Sequence, residues 1–130
     1  MNQRIEIAKY VLGALGKPND DTYAQKMLPA FWVNPRQKET GGLRLTDSGH
    51  EWMQAADIKC YKIDLPKEIN WTNKLIIQLD QFIDSPFYLT KKAIFVYSEK
   101  MAVQLVLFSG NIQKYGIARA MAVAKTQQSN

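Results

Sequence analysis

Basic side chains in two polar turns offer the clearest chemistry in this sequence. They are Arg36, Lys38 and Arg44 around Gly41-Gly42, and Lys91 and Lys92 further along. Cations on a turn can neutralise phosphate groups, and counterion release then favours binding. Such contacts position a protein on nucleic acid without reading its sequence. The same residues could instead keep exposed strand edges soluble and unpaired, and the sequence leaves both explanations open.

Residues that could support catalysis are few. His50 is the only histidine and Cys60 the only cysteine. They could form a nucleophile–base pair, but a helix-surface histidine and a small packed thiol are the simpler expectations. A metal site would need carboxylates as its other ligands, and none cluster tightly. Asp80 and Asp84 stand one helical turn apart, where a solvated helix face is expected. We therefore predict a non-catalytic protein with no metal and no cofactor.

The composition is that of one globular domain. The 130 residues are 46% hydrophobic, which suffices for a single core. We assign residues 1–124 to this domain and predict a disordered tail at 125–130. The net charge of +5 favours acidic partners, although solubility alone would also explain it. No stretch is long enough to span a bilayer and no signal peptide is evident, so we expect a cytoplasmic protein without a membrane partner.

Hydrophobic periodicity predicts an α+β fold with several helices and two short β-hairpins. Strands are expected at Phe31–Val33, Leu43–Leu45, Ile58–Leu65 and in a hairpin over Phe87–Tyr97. Helix starts are expected near Ile5, Asp20–Thr22, Thr46–Ser48, Thr72, Ser98 and Asn111. Ser48 and Glu51 fit the spacing of a capping box. The stretch Val103–Phe108 is apolar almost all round, which predicts a central core helix ending at Gly110, with a strand as the alternative.

The order of elements in Phe31–Met53 carries a family resemblance. A short hairpin is followed by Leu-Arg-Leu-Thr-Asp-Ser-Gly and then a helix. This order resembles the wing and following helix of winged-helix DNA-binding domains. The resemblance implies a winged-helix-like N-terminal half packed on a helical C-terminal half. It also implies that the preceding helix, Thr22–Leu28, approaches a DNA groove with Gln25 and Lys26 while the hairpin contacts phosphates.

Two functions from different classes follow. The first is a small basic protein that binds nucleic acid, duplex DNA above all, or modulates transcription. The second is an adaptor or inhibitor that docks on a larger protein through exposed aromatic residues, with Trp32 and Trp71 as anchors. A homodimer is compatible with either. One continuous positive face would support the first function, and a contiguous exposed apolar patch would support the second.

Overall fold

The computed structural model describes residues 3–33 and 42–128, and the statements below concern this part of the chain. The fold is α+β, as predicted. Its helices are α1 (Gln3–Ala14), α2 (Asp21–Phe31), α3 (Asp47–Ala55), α4 (Asn73–Phe82), α5 (Glu99–Tyr115) and α6 (Ile117–Gln128). Its strands are β1 (Tyr61–Asp64), β2 (Phe87–Leu89) and β3 (Ala93–Val96).

The three strands form one antiparallel sheet in the order β1-β3-β2. Strands β2 and β3 make the hairpin predicted over Phe87–Tyr97, and Ile94 of β3 lies between Ile63 and Leu89. The segment after the glycine pair runs along the outer edge of β2. There the Leu45 N–H donates to the Phe87 carbonyl at 2.7 Å, and the Phe87 N–H donates to the Leu43 carbonyl at 3.1 Å. This edge contact connects the first half of the chain to the sheet.

Two hydrophobic clusters share the sheet. One lies between α4, α5, α6 and the sheet and contains Phe82 and Phe108, both almost fully buried. The other lies between α1, α2 and α3 and contains Phe31 and Trp32. Strand β2 contributes to both, since Phe87 belongs to the first cluster and Tyr88 packs on the second. Truncating one of these rings to alanine would cost roughly 3–5 kcal/mol, so each cluster is a substantial part of the stability.

Side-chain oxygens cap four helices. Asp20, Thr72 and Ser98 accept hydrogen bonds from the N–H groups of residues three further on, which confirms the predicted helix starts. At α3 the cap is Thr46, whose hydroxyl oxygen accepts from the Gly49 N–H at 3.0 Å, so the capping box at Ser48 was wrong. The Thr46 hydroxyl also donates to the Ala30 carbonyl. This second bond attaches the start of α3 to the end of α2.

The first predicted hairpin differs from the observed structure. Phe31 is the last residue of α2, which continues past Pro29, so the expected strand Phe31–Val33 is wrong. Within the described residues the pairing is one antiparallel bridge between Trp32 and Leu45. Proline in the last turn removes one helical hydrogen bond. Complete burial of the Phe31 side chain offsets that loss.

Helix α5 is longer than predicted. It passes Gly110 and Asn111 and ends before Gly116, whose φ of +88° breaks the helix. A helical glycine costs about 1 kcal/mol relative to alanine, and buried Phe108 and Ile112 on one face outweigh this cost. The strand alternative for Val103–Phe108 is therefore excluded. Helix α6 continues through Gln128, into the segment that the sequence analysis assigned to a tail.

Candidate functional site

The predicted nucleic-acid-binding residues are spread over several elements. Gln25 and Lys26 are exposed on α2. Arg44 is half-buried beside the start of β2, where its backbone forms a parallel β-bridge with Phe87. Lys91 and Lys92 are exposed at the hairpin tip, beyond the far end of that strand. At roughly 3.3 Å per residue, β2 separates the Arg44 backbone from this tip by about 10 Å or more. Arg36 and Lys38 lie outside the described residues.

Acidic groups accompany two of these cations. Nζ of Lys92 lies 3.9 Å from Oε1 of Glu68. The carboxylate of Asp80 lies close enough to Arg44 that the guanidinium lowers the pKa of Asp80, while burial raises it more strongly. Local acids therefore offset part of the positive charge at Arg44 and Lys92.

Asp80 belongs to a buried polar contact between α1 and α4, so its expected place on a solvated face was wrong. Nε of Arg4 donates to the Gly42 carbonyl at 2.8 Å. A Cβ atom on Gly42 would lie 2.8 Å from the Asp80 carboxylate, so a larger residue there would force that carboxylate to move. Burial lowers the pKa of Arg4, and the charge of Asp80 opposes that shift. These contacts hold Gly42 close to α4.

Neither predicted tryptophan is an exposed anchor. Trp32 is 1% exposed, and its Nε1–H donates to the Arg4 carbonyl at 3.2 Å, so its proposed place on a binding surface was wrong. Trp71 is half-buried against the first cluster and donates to the Thr90 carbonyl at 2.8 Å. Both indoles brace the fold because each pairs its one polar atom with a backbone oxygen.

His50 is buried in an aromatic cluster between α3 and the sheet, and not on the helix surface. Its ring stacks on Tyr88 with the centroids 4.2 Å apart and the planes 8° from parallel. Nδ1 of His50 lies 2.6 Å from the Tyr97 hydroxyl. The Tyr88 hydroxyl donates to the Asp47 carboxylate at 2.6 Å. Sequence reasoning missed this cluster because its two hydrogen bonds join residues that are 41 and 47 positions apart in the chain.

The same cluster does not activate Cys60. Burial raises the pKa of the Cys60 thiol, and the neighbouring Tyr97 hydroxyl offsets only part of this shift. Burial also lowers the pKa of His50 and raises that of Tyr97. A lowered pKa is typical of a reactive cysteine, and this half-buried thiol shows the opposite shift. Among residues 3–33 and 42–128, no group of three or more His, Cys, Asp or Glu side chains could hold a metal ion.

An apolar cleft opens beside this cluster. Its volume is about 310 Å³, and we call it the Tyr10 cleft. It is lined by Glu6, Ile7, Tyr10, Met53, Ile58, Pro86 and Tyr97. Tyr10 is 69% exposed at its edge. The sequence signal for this exposure was present, since Tyr10 falls off the apolar stripe of Ala8, Val11 and Leu12 on α1. Tyr97 is fixed by its contact with His50, so this wall of the cleft is formed in advance.

A second exposed apolar surface lies on α5. Val103, Val106 and Leu107 are 60%, 61% and 55% exposed, and Gly110 follows at helical spacing. We call these four residues the α5 face. The predicted central position of this helix in the core holds for one side only, because its Met101, Leu105 and Phe108 side packs on the core and the opposite side is exposed. Because apolar residues occur around the full circumference of α5, the sequence pattern did not distinguish its buried side from its exposed side.

Comparison with known proteins identifies no relative of this chain, so its functional assignment rests on the structure. The chain matches no protein-family model, no curated protein and no solved structure. Within its described ranges, no helix combines the length and apolar character needed to cross a bilayer. The features that bear on function are therefore the Tyr10 cleft, the α5 face and the dispersed cations.

Proposed function

We propose that this protein is a protein-binding module whose Tyr10 cleft receives a large apolar side chain from a partner protein. The observation that carries this proposal is an exposed tyrosine beside an apolar cleft of about 310 Å³. Tyrosine is enriched among the residues that dominate binding energy at protein interfaces. The volume lies at the lower end of the roughly 300–1,000 Å³ found for ligand sites, which suits one or two side chains.

Binding at the Tyr10 cleft requires little further ordering of the side chains that line it. Met53 is buried at its floor and Tyr97 is hydrogen-bonded to His50, so neither side chain has to be immobilised by a partner. Immobilising a flexible side chain at an interface costs about 0.5–1.5 kcal/mol. Tyr10 is exposed at the edge of the cleft, where its ring is available to pack against an inserted side chain.

Glu6 adds a polar element to the rim. Its side chain is 53% exposed and its carboxylate lies 4.0 Å from Nζ of Lys9, which makes a much closer contact of 2.8 Å with Asp21. The Glu6 carboxylate therefore retains acceptor capacity. We expect the partner segment to carry a hydrogen-bond donor or a cation next to its apolar anchor, because an ionised acceptor roughly doubles the strength of a hydrogen bond.

A displayed random peptide library, selected on the protein and counter-selected on Tyr10→Ser, tests the proposal. We expect the enriched peptides to share a large apolar residue beside a basic one, and to bind the Tyr10→Ser variant at least tenfold more weakly by calorimetry. Tyr115→Ser is the matched control, since Tyr115 is 54% exposed but belongs to α5. Failure to enrich any peptide, or equal binding to both tyrosine variants and the parent protein, would contradict the proposal.

Binding to nucleic acid is the second candidate function, with duplex DNA favoured and a role in modulating transcription. The net charge of +5 and the exposed pair Gln25 and Lys26 on α2 favour it. A cytoplasmic location is part of both proposals. Fluorescence anisotropy on mixed-sequence duplex across a salt series distinguishes this candidate from the first. Charge reversal at Arg36, Lys38 and Arg44 should weaken binding and flatten its salt dependence. Absence of binding at low salt removes it.

A further inference from the structure

We propose that the α5 face binds the α5 face of a second copy of this chain, with the two helices antiparallel about a two-fold axis. This inference does not depend on the Tyr10 cleft. It rests on the arrangement of one 17-residue helix, which is about 25 Å long. Three aliphatic side chains, Val103, Val106 and Leu107, stand on that helix at more than half exposure.

The exposed stripe has charges of opposite sign at its two ends. With a rotation of about 100° per residue, one arc of the helix about 100° wide contains Glu99, Val103, Val106, Leu107, Gly110 and Lys114. Glu99 stands in the first turn and Lys114 in the last. Among the described residues, neither of these side chains has an ion-pair partner. Both charges are therefore available to a neighbouring molecule.

The stripe is complementary to itself in the antiparallel orientation. A two-fold axis between Val106 and Leu107 places each of these residues opposite the other in the second copy. The same axis places Glu99 opposite Lys114, since the two are equally far from that midpoint. Parallel packing would instead bring Glu99 against Glu99 and Lys114 against Lys114. Only the antiparallel orientation joins opposite charges at both ends. Because the contact is two-fold symmetric, the pair of Glu99 with Lys114 occurs twice.

Shape supports the same pairing. The axis brings Val103 opposite Gly110, and a Cβ atom built on Gly110 meets nothing within 4 Å in the single chain. Close approach of two helix axes, at about 8–10 Å, is easiest where a small residue faces a larger one. A single helix pair buries less area than a standard stable interface, so we expect a reversible dimer whose population depends on concentration.

Charge exchange provides a test that loss of folding cannot imitate. Sedimentation velocity and light scattering across a concentration series should show a monomer–dimer equilibrium for the parent protein. Glu99→Lys and Lys114→Glu should each weaken the dimer roughly tenfold, because each creates two like-charge contacts. The double variant, Glu99→Lys with Lys114→Glu, should restore it. Circular dichroism on every variant confirms that the helices remain folded.

Two further variants locate the contact. Leu107→Asn should abolish the dimer, whereas Tyr10→Ser, on the distant helix α1, should leave it unchanged. A parent protein that stays monomeric at several hundred micromolar would overturn the proposal. So would a dimer that survives Leu107→Asn, or single charge reversals without rescue in the double variant. Peptide binding lost in Tyr10→Ser alone, together with a monomeric parent protein, would refute this inference and leave the proposed cleft function standing.

Discussion

The hydroxyl of Tyr97 lies 2.6 Å from Nδ1 of His50 and so joins the end of strand β3 to helix α3. It also lies 3.3 Å from the His50 carbonyl oxygen. A neutral histidine can accept a hydrogen bond at Nδ1, and this acceptor is shielded from water. The contact therefore contributes to stability mainly because its loss would leave Nδ1 of His50 without a hydrogen-bond partner.

Tyr97→Phe should lower the free energy of unfolding by about 1–3 kcal/mol, because the buried Nδ1 atom would lose its partner. Urea denaturation followed by tryptophan fluorescence measures the change. Tyr88→Phe is the matched control, since the Tyr88 hydroxyl bonds Asp47 at an exposed position and should cost less than about 1 kcal/mol. Equal costs for the two variants would show that the His50 contact has no special weight.

The stability of the protein should fall as the pH drops below about 6.5. Burial lowers the pKa of folded His50, while the charges of Glu51 and Asp47 partly oppose this. Below the ordinary histidine pKa of 6.5, the unfolded chain takes up a proton that the folded chain does not. The stability is therefore complete above that value and decreases as the pH falls toward the folded pKa.

Urea midpoints between pH 8 and 5 measure this effect, and His50→Gln provides the comparison. The variant should be less stable throughout, but it should lose the slope between pH 6.5 and the lower pKa. Asp80 acts in the opposite sense, since burial raises its pKa and the folded chain binds its proton first as the pH falls. A slope that persists unchanged in His50→Gln would assign the pH dependence to other groups.

Local signals in the sequence predicted the elements whose boundaries depend on neighbouring residues. Asp20, Thr72 and Ser98 were recognisable as helix caps, and the turn at Thr90 gave the second hairpin, because capping and turn formation involve residues within three or four positions. The end of α2 was missed because a long-range contact decides it. Phe31 is buried against Trp52, and this packing outweighs the helix-breaking effect of Pro29.

The candidate site was harder to predict for the same physical reason. Tyr10, Met53 and Tyr97 meet at one cleft although each lies on a different element. No periodic pattern encodes such a meeting. The basic turns were visible as a composition signal, but the closeness of Lys92 to Glu68 and the charge interaction of Arg44 with Asp80 depend on tertiary structure. The residue types thus indicated which functional groups are available, and tertiary packing determines which of these groups are exposed.

Cys60 should react slowly with thiol reagents in the folded protein. Its thiol is half-buried, and burial raises its pKa above the ordinary value of 9.0, so little thiolate exists near neutral pH. Ellman's reagent at pH 7.5 should modify it well over tenfold more slowly than the same residue in 8 M urea. Reaction as fast in the native protein as in urea would contradict this assignment and reopen a reactive role for the thiol.

Two helical glycines should respond oppositely to the same substitution. A Cβ atom on Gly49 would lie 2.2 Å from the Phe31 carbonyl oxygen, so Gly49→Ala must push α3 away from the end of α2. Overpacking of this kind typically costs about 1–3 kcal/mol. A Cβ atom on Gly110 meets no neighbour within 4 Å, so Gly110→Ala should gain about 0.5–1 kcal/mol from helix propensity alone. Urea denaturation at a protein concentration low enough to keep the chain monomeric measures both changes, and equal effects of the two substitutions would refute the close packing of α3 on α2.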